Sequence, residues 1–179
     1  MRRTVSTVAL ALIAAVAVAA VATSCGSDTT APPANKTYVA NLNTAAEKGN
    51  PAFTQTSSGV ATFVDMGTSI DWTLNVTNVI GLTVSHIHLG DEHAVALPPA
   101  STDLAATGAG PVIINLFLPN GPTGTVNGEV AHGSITNANN ANVSLDSLRV
   151  LFNNGHAYAN VHTSAHASGE IRDQIHLKP

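Results

Sequence analysis

Much of the reactive chemistry in this chain falls within one decapeptide, VSHIHLGDEH (Val84–His93). His86 and His88 flank Ile87 there, and Asp91, Glu92 and His93 follow at once. The whole chain has only 8 histidines. In a strand, side chains two apart share a face, so His86 and His88 point one way while Ser85, Ile87 and Leu89 point the other. A later stretch, AYANVHT (Ala157–Thr163), places Tyr158, Asn160 and His162 on one face and Ala157, Ala159 and Val161 on the other. If the two strands meet with their polar faces together, three imidazoles and an amide converge. Neutral ring nitrogens on a rigid sheet suit Zn²⁺ or Cu²⁺, given acceptors that orient the rings.

Asp91, Glu92 and Glu170 are candidate acceptors or further ligands. His93, His132, His156, His166 and His176 add nitrogen with less regular placement. A plainer reading stands beside the metal site. Imidazoles in paired strands also hydrogen-bond across the sheet or to backbone carbonyls, and so fix register without binding anything. The sequence leaves both open. Glu170 and Arg172 share a strand face and read as a structural ion pair rather than as catalytic groups.

Positioning these residues requires strands, and the chain is rich in them. Short β-branched or alternating segments recur between Gly, Asn, Pro and Ser. Strands are expected at Thr37–Asn43, Gly59–Asp65, Ser69–Thr77, Thr83–Leu89, Pro111–Leu118, Thr125–Ile135, Leu148–Asn153, Ala157–Thr163 and Gly169–His176. The third alternates most cleanly, with Ile70, Trp72, Leu74 and Val76 facing away from Asp71, Thr73, Asn75 and Thr77. Met66-Gly67 suits a tight hairpin, and PNGPTG (Pro119–Gly124) is a turn. No stretch of the domain shows a helical period beyond a turn near Asn137–Asn142. The expected fold is all-β, an antiparallel β-sandwich or barrel-like domain of about nine short strands. The segment Asp91–Ala109 interrupts that rhythm as a long connection, a candidate contact loop carrying Asp91, Glu92 and His93.

The N-terminus reads as a signal. Arg2 and Arg3 precede fifteen residues, Val8 to Ala22, made only of Ala, Val, Leu and Ile. That run falls short of the roughly 20 apolar residues a membrane span needs and matches the core of an export signal. Small residues then lead to Cys25, the only cysteine. This resembles the lipobox of bacterial lipoproteins, with Ala22 where Leu is usual. The resemblance implies residues 1–24 as signal peptide, lipidation of Cys25 and anchoring to a membrane of the bacterial cell envelope. Gly26–Lys36 reads as a flexible tether, and 37–179 as the domain. With Arg2 and Arg3 removed, five of the 7 basic side chains remain against 11 acidic ones. Such a balance, without a Lys/Arg cluster, excludes nucleic acid as the expected partner.

The C-terminal stretch GHAYANVHTSAHASGEIRDQI (Gly155–Ile175) resembles the signature of the CHRD (chordin-type) domain. Tyr158, Asn160, Val161, His162, Thr163, Gly169, Glu170, Ile171, Arg172 and Gln174 fit it, while Ala167 and Asp173 depart from it. Upstream, SHIHLG and GPVIINL (Gly110–Leu116) fit as well, separated by a longer loop than usual. The resemblance implies a β-sandwich-like extracytoplasmic module, with Asn160, Glu170 and Arg172 among its motif residues, and does not imply catalysis. HIHLGD also resembles a Cu/Zn superoxide dismutase, but that family's further ligands and disulfide have no counterpart. No Gly-x-Ser-x-Gly elbow or phosphate loop occurs. The expectation is therefore a lipid-anchored, non-enzymatic module for an unknown protein or glycan ligand. The alternative is a Zn- or Cu-binding or redox protein centred on His86, His88 and His162.

Overall fold

The computed structural model describes residues 35–47, 56–90, 110–117, 124–140 and 142–179. Cys25, tether residues 26–34, the Pro119–Gly124 turn up to residue 123, and the loop residues Asp91, Glu92 and His93 lie outside the described residues. Among the described residues nine strands form one sheet: β1 (Thr37–Asn43), β2 (Ser58–Asp65), β3 (Ile70–Ile80), β4 (Leu82–Leu89), β5 (Val112–Phe117), β6 (Thr125–Ile135), β7 (Ala157–Thr163), β8 (Ile171–Gln174) and β9 (His176–Leu177). Their spatial order is β5-β4-β7-β8-β1-β2-β3-β6, with β9 beside β1, and every pairing is antiparallel. The sheet curls until β5 approaches β6, giving a nearly closed barrel. At that seam the Asn142 amide donates to the Ile113 carbonyl at 3.3 Å, on β5, which pairs only β4 among the described residues.

Alternation puts Tyr38, Ala40, Leu42, Ala61, Phe63, Ile70, Trp72, Leu74 and Val76 into one apolar core with Ile87, Ala159, Val161 and Ile171. Burying each of the larger aliphatic and aromatic side chains contributes about 1.5–3 kcal/mol and drives the collapse. The β2–β3 hairpin turns where Met66-Gly67 suggests it, with Met66 N–H donating to Ser69 O at 2.9 Å.

Two expectations need correction. Leu148–Asn153 is not a strand but part of a helix, α1 (Leu145–Asn154). The hydroxyl of Ser144 caps its start by accepting from Ser147 N–H at 3.1 Å. Gly155 ends it in the left-handed conformation, φ 67°, its N–H reaching back to the carbonyls of Leu151 and Phe152. Leu145, Leu148 and Phe152 repeat at three and four residues and are all buried. Phe152 packs beside Tyr38 and Phe63, with ring centroids 5.3 Å and 5.2 Å away. Arg149 ties the helix to the β2 end by a two-pronged contact with Asp65, at 2.8 and 2.9 Å.

The second correction is at the C-terminus, where the expected strand divides into β8 and β9. The division falls at Ile175, and two residues before it the Asp173 carboxylate accepts the Asn41 N–H at 2.8 Å. A side chain thus replaces the backbone partner that β1 would otherwise find there.

Candidate metal centre

Strand β7 is buried along its whole length, on both faces. Ala157, Ala159 and Val161 face the apolar core, while Tyr158, Asn160 and His162 carry the opposite, polar face. Its neighbour β4 is paired so that His86 lies across from Asn160 and His88 across from Tyr158. The sequence placed His86 and His88 on one face, and this register brings that face beside His162.

One nitrogen from each of His86, His88 and His162 lies within 4.8 Å of one from each of the others. His88 and His162 are 7% and 8% exposed, whereas His86 is half-buried. His86 Nδ1 is 3.2 Å from His162 Nε2. Two ligands of a tetrahedral Zn²⁺, at roughly 2.0–2.1 Å from the ion, stand about 3.3–3.4 Å apart. That pair of nitrogens is at ligand spacing, and His86 Nδ1 would become a ligand once its proton passes to the other nitrogen of the ring.

Backbone carbonyls decide which nitrogen of each buried ring is free. His88 Nδ1–H donates to Gly110 O at 2.7 Å, and His162 Nδ1–H donates to Ala167 O at 2.9 Å. Each ring therefore presents its lone pair on Nε2, the arrangement that outer acceptors impose on metal-ligating histidines. His162 Nε2 accepts from His86 Nδ1–H, but His88 Nε2 is buried without a hydrogen-bond partner among the described residues. Burial holds His86 down at about 4, helped by the neighbouring His162. Burial likewise holds His88 at about 4, against the opposing pull of the Gly110 carbonyl. It lowers His162 too. All three rings are neutral near pH 7, the protonation state a metal requires.

Gly110 is the hinge of this arrangement. Its carbonyl orients His88, and its N–H donates to the Tyr158 hydroxyl oxygen at 3.0 Å. A Cβ at this position would stand 1.8 Å from the Leu89 carbonyl oxygen, so only glycine fits without moving backbone. Tyr158 lies flat on His88, centroids 4.9 Å apart and planes within 4°, and the Arg172 guanidinium sits 3.7 Å from the Tyr158 ring centroid. Burial raises the Tyr158 phenol above its ordinary value, so it stays neutral. Beside it, Asn160 Nδ2 donates to Glu47 Oε2 at 3.1 Å.

The expected Glu170–Arg172 ion pair does not form among the described residues. Glu170 contacts the Ser57 hydroxyl, while Arg172 turns to the Tyr158 face. Nor does Glu170 orient a histidine, a role taken by the carbonyls of Gly110 and Ala167. His132 pairs with Glu129 at 2.7 Å, and His176 stands 4.0 Å from Asp173, both away from the cluster. Glu47, Gly110 and the Ala167 carbonyl are the residues that site reasoning from sequence missed.

An antiparallel barrel with a largely buried three-histidine cluster shared by two adjacent strands is the class of protein that fold and site define. The chain belongs to the CHRD domain family, whose model matches residues 38–175. No curated protein and no solved structure matches it.

Proposed function

We propose that this CHRD domain binds a transition-metal ion, Zn²⁺ or Cu²⁺, through His86, His88 and His162. The observation that carries the reading is His88. A buried imidazole of the cluster has its Nδ1–H committed to Gly110, and its Nε2 lone pair is buried without a hydrogen-bond partner among the described residues. Leaving a buried acceptor unsatisfied costs about 1–3 kcal/mol, and a metal ion relieves that cost. A donor set of three imidazoles suits Zn²⁺ and Cu²⁺ and is a poor match for Mg²⁺ or Ca²⁺, which take oxygen. Elemental analysis and calorimetric titration of the purified domain test it. One ion per chain, lost in His88→Ala, supports the site; sub-stoichiometric metal in both proteins sinks it.

The same proposal places the domain at a bacterial envelope membrane, tethered by lipid on Cys25, on the strength of the signal-like N-terminus. Cys25→Ser should release the protein from membranes on fractionation. Continued membrane association of that variant would count against the anchor.

A further inference from the structure

Three protein ligands leave a transition metal one position short of tetrahedral, and the described residues around that position are not symmetric. His88 and His162 are closed in, while half-buried His86 marks the side on which solvent reaches the cluster. Asn160, fully buried, lies across from His86 and two residues before His162 on the same face. Its amide orientation is fixed, because Nδ2 donates to Glu47. The other end of the amide, Oδ1, is buried without a hydrogen-bond partner among the described residues. An acceptor placed there is satisfied only by something that brings a proton.

From this we infer that the centre keeps an exchangeable fourth ligand, and that Asn160 selects one bearing a proton. Water is that ligand at rest, giving one O–H to Asn160 Oδ1. The inference rests on the metal-binding reading above. A small ligand that can donate a hydrogen bond takes the position readily. An aprotic anion such as azide meets the Asn160 oxygen lone pairs instead, and binds weakly. Sites with three protein ligands and one open position are those in which bound small molecules exchange. A polar group left unpaired by the wrong ligand is what makes such discrimination strong.

The test uses the Cu²⁺-loaded full domain, with metal content measured first. Pulsed electron paramagnetic resonance in H₂O and D₂O reads solvent-derived deuterons at the copper, and azide titration is followed by its charge-transfer band. Expected for the wild type are an exchangeable deuteron signal and weak azide binding. In Asn160→Leu, azide should bind at least about 5-fold more tightly. Asn160→Thr retains a small polar group should the leucine variant fail to fold, and azide affinity should rise there too. A wild-type copper centre without solvent deuterons overturns the inference while leaving the metal site intact, and so does azide affinity unchanged in a folded variant. Absence of bound metal overturns both.

Discussion

Tyr158 lies parallel to His88 at 4.9 Å, and both are fastened to one residue, Gly110. The carbonyl of that glycine takes the imidazole proton, and its N–H goes to the phenol oxygen. The ring that offers a lone pair and the ring that supports it therefore share one peptide anchor.

Tyr158→Phe keeps the stacked ring and removes only the hydroxyl. The Gly110 N–H then loses its buried acceptor, at a cost of about 1–3 kcal/mol. Losing an outer support weakens metal affinity about 10- to 100-fold. Competition with a chelator of known affinity measures the effect. Wild-type affinity in this variant would show that the hydroxyl does not hold the site.

Gly110→Ala should be more damaging than an exposed glycine substitution. Its methyl would meet the Leu89 carbonyl at 1.8 Å, so the backbone must shift and carry the His88 acceptor with it. A loss of about 1–3 kcal/mol on urea unfolding is expected, with weakened metal binding. Equal stability and affinity would mean that the β4 end yields at no cost.

Stability of the metal-free domain should depend on pH through the same histidines. His86 and His88 titrate at about 4 in the folded protein, against 6.5 as their ordinary value. As the pH falls from 6.5 towards 4, the unfolded chain gains protons that the folded chain refuses. Their contribution is complete above pH 6.5 and is lost through that window. Asp65, held low by Arg149, acts only at more acid pH. Urea midpoints at pH 7.5 and 4.5 should differ, and His86→Gln with His88→Gln should narrow the gap. An undiminished gap in the double variant would place the effect elsewhere.

Phe152→Ala should cost about 3–5 kcal/mol, because the ring fills the space between Tyr38 and Phe63. Thermal unfolding by circular dichroism reports it. A loss below 1 kcal/mol would mean that α1 is an appendage to the barrel rather than part of its core.

Most of the strands were legible because alternation is a local signal: Ile70, Trp72, Leu74 and Val76 announce β3 without reference to anything distant. The His86/His88/His162 cluster was legible for the same reason, since two short strands each revealed a face and only their adjacency was missing. Helix α1 was not. LRVLF reads as a β-branched apolar run when its caps, Ser144 and Gly155, are not weighed with Leu145, Leu148 and Phe152 at helical spacing. The outer supports of the site were hidden for a different reason. Carbonyls belong to every residue, so nothing in the letters singled out Gly110 or Ala167 as acceptors. Charged side chains drew attention to a Glu170–Arg172 pair instead, although Arg172 found a more favourable neighbour in an aromatic face.

Because β7 is a wall common to the apolar core and the polar face, a ligand gripped by His162 also grips the barrel. An ion present at 100 times its dissociation constant lowers the unfolded population about a hundredfold, or about 2.7 kcal/mol. Proteases that cut only opened chains would then meet their substrate about a hundred times less often. The lifetime of each molecule would thereby record the metal supply of its surroundings, even with no reaction performed at the site.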